Sequence, residues 1–213
     1  AKTVALFGAG NQADKQVAAV AAVRDLDVIK CFSPTPESRE TFAARTSEAY
    51  DTNVVAVSSP EKAVKDADII LCATNSRQQV FDTNWIKPGL HFGCIMAPEM
   101  DPKAVRAADI AICHSKLGDS PFATTHGIDE EAVNGKPSTF SKDAGIAELP
   151  SLADMICGNA PERTTDEQVT CFMNTLGIGL QFTAVGALLY KKAKAQNAGQ
   201  TIPTDWLTQA EMS

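Results

Sequence analysis

Two glycines and one small residue stand at a spacing that can hold a dinucleotide. They lie in "ALFGAGNQADKQV", residues 5–17, where Gly8 and Gly10 are followed by Ala13. Gly8 permits a tight turn, Gly10 lets the backbone approach a pyrophosphate, and Ala13 allows a helix to pack closely on a strand. The unpaired N–H groups and partial positive charge of the helix N-terminus attract phosphates. The spacing predicts a dinucleotide-binding turn, with a glycine turn that binds no ligand as the alternative.

The stretch "CFSPTPESR", residues 31–39, follows the second predicted strand and indicates which dinucleotide is bound. An acidic residue at this strand end favours NAD, because it accepts a hydrogen bond from the ribose 2′-OH and repels a 2′-phosphate. Ser33 occupies that position here, and Thr35, Ser38 and Arg39 follow. Hydroxyl groups and a guanidinium can hold a phosphate dianion. NADP(H) is therefore favoured and NAD(H) stays possible, the alternative being that Arg39 lies on a solvated helix face.

Two further polar loops follow the fourth and fifth predicted strands. In an open α/β sheet, ligands bind in the crevice at the carboxyl ends of the strands. We therefore predict that Thr74 and Asn75 contact a ribose or phosphate, and that Ile95 and Met96 flank a nicotinamide ring. The alternative for each residue is an ordinary strand end.

The elements that must position these residues alternate between strand and helix. Strand-like runs such as "TVALFG", "DVIKCFS" and "DIILCAT" are separated by helical segments, which is typical of βαβ units and a parallel sheet. We predict an α/β fold: a Rossmann-type, doubly wound, mostly parallel sheet with a C-terminal helical extension. We divide the chain into a dinucleotide-binding domain, residues 1–180, and a C-terminal helix and tail, residues 181–213. Gly199 is expected to end that helix.

Composition and charge exclude several classes of function. The 19 Lys and Arg residues against 26 Asp and Glu give a net charge of −7, which argues against a nucleic-acid partner. No apolar run approaches the ~20 residues of a membrane span. The six cysteines show no metal-ligand or redox-motif spacing. We therefore predict buried free thiols in a reducing, cytoplasmic compartment, no metal site and no membrane partner, with a disulfide framework or a zinc site as the alternative for the cysteines.

Five segments carry a resemblance to a known family. They are "GAGNQA", "SPEKAVKDADIILCAT", "WIKPGLHFGCI", "AELPSLADMICGNAPERTTDEQVTCF" and "NTLGIGLQFTAVGALLYKKAKAQNAG". In this order, and reaching to about Trp206, they resemble the ornithine cyclodeaminase/mu-crystallin family. Members of that family are dimeric NAD(P)-dependent enzymes that act at an amino or imino carbon, by imine reduction, amino-acid dehydrogenation or ornithine cyclisation.

The resemblance implies a set of cofactor contacts and a substrate class. It implies pyrophosphate contacts for the glycine loop, ribose contacts for the loop after the second strand, and contacts near the nicotinamide for a C-terminal loop. The implied residues are Gly8, Gly10, Asn11, Gln12 and Ala13; Ser33, Thr35 and Arg39; Thr74; and Asn174, Leu176 and Gly177. The substrate would be a small imino or amino acid, and the full-length protein a homodimer.

The departures from the family pattern are as informative as the matches. Family members begin with an N-terminal portion that supplies the dimer interface and the Arg and Lys groups that hold the substrate carboxylate, whereas this sequence starts at the first strand. The cyclodeaminase acid after the fifth strand is replaced by "MAP", residues 96–98, and a family Glu-Asp pair aligns with Gln181 and Phe182. Ornithine cyclisation, an ammonia-lyase reaction, is therefore disfavoured. A reductase or dehydrogenase whose catalytic residues stay unknown is expected, with a non-catalytic dinucleotide-binding fragment as the alternative.

Overall fold

A computed structural model describes residues 1–115, 123–124, 127–128, 139–174 and 179–207. Seven parallel strands form one sheet, and they include the three strand-like runs quoted above. The strands are β1 (Thr3–Phe7), β2 (Val28–Phe32), β3 (Val54–Ala56), β4 (Ile69–Cys72), β5 (His91–Cys94), β6 (Ile110–Cys113) and β9 (Thr170–Met173). A separate antiparallel pair joins β7 (Ala123–Thr124) to β8 (Gly127–Ile128). The order in the large sheet is β3-β2-β1-β4-β5-β9-β6. The predicted Rossmann-type fold is confirmed, and the last strand, β9, lies between β5 and β6.

The helices begin where the sequence supplies start signals. They are α1 (Asn11–Val23), α2 (Pro36–Tyr50), α3 (Pro60–Val64), α4 (Pro102–Ala107), α5 (Thr139–Ala144), α6 (Leu152–Ile156) and α7 (Gly179–Ala195). Proline occupies the first turn of α2, α3 and α4, where its fixed φ suits the helix and its missing N–H costs no hydrogen bond. The Ser59 and Asp101 side chains accept backbone N–H groups and cap α3 and α4.

The sheet is apolar on both faces because helices cover both. In β1, Val4 and Leu6 pack on one face with Val17 of α1, while Phe7 packs on the other in the cluster that includes Phe92. The register places Phe7 opposite Phe32 and Cys72, and Cys72 opposite Cys94. The carboxyl ends of these four central strands therefore lie side by side at one edge of the sheet.

The chain divides into two compact units, residues 1–176 and 177–213. The second unit contains α7, on which Leu180, Phe182 and Val185 are exposed. The prediction that Gly199 caps this helix is wrong. Asn197 adopts the left-handed conformation with φ +50°, the N–H of Ala198 donates to the carbonyl of Ala193 at 2.9 Å, and that of Asn197 donates to Lys194 at 3.2 Å. This arrangement is a Schellman motif with asparagine in place of glycine.

Across the ranges that the structure describes, no helix combines the length and hydropathy needed to cross a membrane. The same ranges hold no group of three or more His, Cys, Asp or Glu residues able to bind a metal ion. The six cysteines all lie in described ranges and are free thiols; five are buried and Cys157 is exposed.

Candidate functional site

A cleft of about 640 Å³ opens at the carboxyl edge of the sheet. Its lining comes from the loops after β1, β2 and β4, which the parallel register brings to the same edge. Of the predicted site residues, seven line it: Gly8, Gly10, Asn11, Gln12, Ser33, Thr74 and Asn75. The β1 strand, where the strand order changes direction, lies beneath the centre of the cleft, which is the usual ligand position in open α/β sheets.

Gly8 makes the tight turn that starts the glycine loop. Its φ is +113°, and a Cβ at this position would overlap the carbonyl oxygen of Ala73 and lie 2.8 Å from the carbonyl carbon. The N–H of Gly8 donates to the Phe32 carbonyl at 2.9 Å, and the Cys31 thiol donates to the Gly8 carbonyl at 3.4 Å. Burial raises the pKa of Cys31 to about 12, so this thiol stays neutral. The backbone conformation of the loop is therefore fixed by β2 below it and by the end of β4 beside it.

Gly10 opens the loop toward the cleft. It stands at the N-cap of α1, and no side chain in the described part of the chain bonds to this helix end. A Cβ at Gly10 would meet no described atom within 4 Å. Asn11 and Gln12, in the first turn, are exposed, whereas Ala13 is fully buried against the sheet. The geometry fits a pyrophosphate, since free N–H groups point out of the helix end and no side chain fills the approach.

The loop after β2 carries the predicted ribose contacts. Ser33 and Ser38 line the cleft, whereas Thr35 and Arg39 lie outside the lining that the structure describes. The Arg39 guanidinium donates to the carbonyls of Ser33 at 3.0 Å and Pro34 at 3.4 Å. These bonds hold the cation beside the loop, next to the two serines. The predicted contacts of Thr35 and Arg39 with a ribose or phosphate stay predictions.

Glu99 is the residue of this edge that sequence reasoning missed. It lies in a short 3₁₀ turn, Ala97–Glu99, and its side chain is fully buried. One carboxylate oxygen accepts the Thr74 N–H at 2.6 Å and the Thr74 hydroxyl at 2.7 Å. The other accepts the N–H groups of Ile95 at 3.2 Å and Met96 at 3.0 Å. An acid three residues after an N-cap is a recognisable capping signal, and Glu99 stands in that position after Met96. Its bond to Thr74 is not visible in sequence.

Burial raises the pKa of Glu99 above its usual value. The hydrogen bonds from Thr74, Met96 and Ile95 favour the carboxylate and have the opposite, smaller effect on this pKa. The loop after β5 therefore does contain an acid, but the carboxylate is turned into the fold rather than toward the cleft.

The remaining predicted residues lie at the ends of β5 and β9. Ile95 and Met96 follow β5 and give their N–H groups to Glu99. Asn174, just after β9, donates its side-chain amide to the Ile95 carbonyl at 3.4 Å. The structure thus joins three predicted residues at neighbouring strand ends. Leu176 and Gly177 lie outside the described residues.

Comparison with known proteins agrees with the fold. The profile of the Ornithine cyclodeaminase/mu-crystallin family matches residues 1–197. A Delta(1)-pyrroline-2-carboxylate reductase of Bacillus cereus is 28% identical over 202 residues, covering 95% of this chain and 61% of the relative. The chain thus spans about three fifths of the length of this relative.

Two solved structures are similar in fold. The Thermococcus litoralis Delta(1)-pyrroline-2-carboxylate reductase, in complex with NADH and L-proline, superposes with a TM-score of 0.76 at 23% identity, over 94% of this chain and 61% of that one. An archaeal alanine dehydrogenase dimer with bound NAD gives a TM-score of 0.74 at 22% identity, over 95% of this chain and 60% of that one.

Proposed function

This chain belongs to the ornithine cyclodeaminase/mu-crystallin family, and from that membership we propose that it is the dinucleotide-binding part of an NAD(P)-dependent oxidoreductase. The substrate class is a small imino or amino acid, acted on at its Cα–N centre. The observation that carries the proposal is the open helix end at Gly10, where backbone N–H groups face a cleft and no side chain of the described residues occupies the approach.

The residues of the cleft would divide the dinucleotide between them. The N–H groups of Asn11, Gln12 and Ala13 would hold the pyrophosphate at the positive end of α1. Ser33 and Ser38 would face the adenosine ribose. Asn75 would contact the dinucleotide from the other side of the glycine loop. The bound cofactor supplies the hydride that an imino carbon gains on reduction, while a proton adds to the nitrogen. The role that we propose for residues 1–174 is to bind the cofactor and to orient it.

The substrate class follows from the relatives. The named substrates of two of them, pyrroline-2-carboxylate and alanine, each carry a carboxylate beside the reacting carbon. Binding such a substrate needs cationic anchors held close to the cofactor, because much of the rate of hydride transfer comes from positioning. We propose that these anchors come from the part of the whole protein that matches the remaining two fifths of the relatives. Residues 1–213 alone would then bind cofactor and turn over slowly.

Cofactor binding is tested by titrating the chain with NADH and NADPH and following nicotinamide fluorescence. We expect a saturable signal in the micromolar range, displaced by ADP-ribose. The absence of saturable binding of either dinucleotide at high micromolar concentration would contradict the proposal.

Turnover is tested by NADPH oxidation with a cyclic ketimine and with pyruvate plus methylamine. The assay is run on residues 1–213 and on the longest native polypeptide that contains them. We expect activity to rise strongly in the longer form. Equal activity in both forms would place the substrate anchors within residues 1–213 and overturn that part of the proposal.

We further propose a preference for NADPH, supported by Ser33 in place of an acid and by the position of Arg39 beside it. A charge-assisted phosphate contact contributes about 1.5–3 kcal/mol, so Arg39→Ala should weaken NADPH binding about ten- to hundredfold and leave NADH binding nearly unchanged. Arg24→Ala is the matched control, since this guanidinium also donates to a backbone carbonyl, that of Val23. Equal loss for both cofactors on Arg39→Ala would contradict the assignment.

A homodimer and a cytoplasmic location complete the proposal. The dimer is supported by the dimeric alanine dehydrogenase relative and by the exposed apolar side chains of α7, including Leu180 and Phe182. The location is supported by six free thiols. Light scattering on the longest native polypeptide tests the dimer, and a monomeric mass at micromolar concentration would contradict it.

A further inference from the structure

Three separate segments meet at Glu99. Its carboxylate accepts from Thr74, at the end of β4, and from Ile95 and Met96, at the end of β5. Its backbone carbonyl accepts the N–H groups of Val80 and Phe81, each at 2.9 Å. The loop that contains Thr74 and the segment that contains Val80 are therefore fixed to one residue. Both contribute to the wall of the cleft.

The four donors match the chemistry of a carboxylate. An ionised carboxyl group only accepts hydrogen bonds, and its two oxygens offer about four sites. Two donors on each oxygen use all four. A glutamine of the same shape offers one oxygen and turns an NH₂ group toward donors, so two N–H or O–H groups would lose their acceptor. A buried donor left unpaired is costly, and the segments it belongs to would shift to recover a partner.

This network also fixes the role of Thr74. Its hydroxyl donates to Glu99 at 2.7 Å and accepts the N–H of Ser76 at 3.1 Å. The Thr74 backbone nitrogen lies 3.4 Å from the position that a Cβ on Gly8 would take. The peptide that Glu99 holds is thus the one against which the glycine turn packs. The hydroxyl of Thr74 is used within the fold, while Asn75 and Ser76 face the cleft.

We propose that Glu99 is a positioning residue for the dinucleotide, which acts by fixing the ends of β4 and β5 on the nicotinamide side of the cleft. Thr74 takes part through its bond to Glu99 rather than by contact with the ribose. This proposal rests on the proposed function. The adenine side of the cleft, at Ser33 and Ser38, follows β2, whereas the hydrogen bonds of the Glu99 carboxylate go to the ends of β4 and β5. Loss of the carboxylate should therefore affect the two halves of the dinucleotide unequally.

The test compares binding of NADH with binding of ADP, which carries the adenosine and two phosphates but lacks the nicotinamide riboside. In Glu99→Gln we expect NADH to bind at least tenfold more weakly, while ADP binding changes less than about twofold. Asp101→Asn is the matched control, because Asp101 also accepts a threonine hydroxyl, that of Thr83, and a backbone N–H, that of Lys103, both at 2.9 Å. It should lower the urea midpoint and leave the NADH to ADP affinity ratio unchanged.

Two threonine variants keep the proposal falsifiable if Glu99→Gln does not fold. Thr74→Ser retains the hydroxyl and should bind NADH like the wild type, whereas Thr74→Val should reproduce the selective NADH loss. Wild-type NADH affinity in Glu99→Gln or in Thr74→Val would overturn the proposal. So would a parallel fall of NADH and ADP affinity in these variants. A wild-type chain that fails to bind NADH would instead overturn the proposed function itself.

Discussion

The two edges of the parallel sheet share one kind of polar contact and differ at the start of α1. At the amino edge, Asp68 accepts the N–H of Thr3 at 3.0 Å, Asp109 accepts that of Val169 at 2.7 Å, and the His91 ring bonds the Thr170 hydroxyl at 2.8 Å. These side chains pair with backbone N–H groups and a hydroxyl at the amino ends of the strands. At the carboxyl edge, the start of α1 is left without a side-chain cap from the described residues and faces a cleft.

The size of a hollow does not distinguish these edges. The amino edge has a hollow of about 820 Å³ beside α1, lined by residues such as Arg24, His91 and Arg163, and the carboxyl cleft measures about 640 Å³. Arg163, however, already donates to the carbonyls of Gly89 at 3.2 Å and Asp166 at 2.6 Å. Unused backbone donors, rather than volume, indicate where a phosphate would bind.

The largest effect is expected from Gly10→Val, which fills the open helix end. A valine side chain would enter the space that the pyrophosphate needs, so NADPH binding should weaken about a thousandfold, equivalent to about 4 kcal/mol. The backbone at Gly10, with φ −103° and ψ −169°, suits valine, and we expect stability to fall by only about 1 kcal/mol, as for a poor N-cap. Fluorescence titration and urea unfolding measure the two quantities, and normal binding would remove the glycine loop from the site.

Two other glycines, one at each edge, should show that the backbone at both edges leaves no room for a Cβ. A Cβ on Gly8 would overlap the Ala73 carbonyl oxygen, and a Cβ on Gly89, at the amino edge, would lie 2.7 Å from the Asp166 carbonyl oxygen. Both residues have positive φ. Alanine at either position should cost about 3 kcal/mol or more in free energy of unfolding.

Gly158→Ala separates the cost of a positive φ from the cost of the steric overlap. Gly158 has φ +74°, but a Cβ at this position would have no described atom within 4 Å, so alanine there should cost only about 1 kcal/mol. Urea unfolding of the three variants measures the difference. A cost for Gly8→Ala no greater than that for Gly158→Ala would show that the Ala73 carbonyl yields, and that the turn is not fixed by the end of β4.

The sequence reveals features that depend on neighbouring residues and does not reveal those that depend on distant segments. The glycine loop and the seven strands depend on neighbours in the chain, so spacing and apolar runs predict them. The position of β9 between β5 and β6 depends on pairing between segments far apart, and no local pattern encodes it. The bond of Glu99 to Thr74 spans 25 positions, and the choice of Asn197 over Gly199 as the helix cap depends on where α7 stops winding.

At the amino edge, protonation of His91 should weaken the fold. Burial, followed by the nearby charges of Arg163 and Arg24, lowers the pKa of His91 from 6.5 to about 4. Between these values the unfolded chain binds a proton that the folded chain does not, so stability is full above pH 6.5 and falls as the pH drops toward 4. The residue is only partly buried, and we expect the loss to reach about 2 kcal/mol.

His91→Asn removes this step and keeps a polar group facing Thr170. Urea unfolding of the variant and the wild type at about pH 7.5, 6, 5 and 4 gives the difference in their free energies of unfolding. The carboxylates titrate in both proteins and cancel. We expect the difference to shrink by about 2 kcal/mol over this range, with NADH affinity at neutral pH unaltered. A difference that is constant across the range would contradict the assignment.

The smallest effect, and the most direct comparison of the edges, comes from one substitution made at each. Thr170 and Thr74 share one kind of contact: each hydroxyl bonds a titratable side chain at a strand end, His91 at 2.8 Å and Glu99 at 2.7 Å. Thr170→Val should lower the free energy of unfolding by about 1 kcal/mol, the usual net contribution of one hydrogen bond, and leave NADH affinity unchanged. Thr74→Val should lower both quantities, because the same bond fixes a wall of the cleft. If Thr170→Val also weakens NADH binding, the amino edge is coupled to the cleft through β9 and β5, and the functional separation of the two edges does not hold.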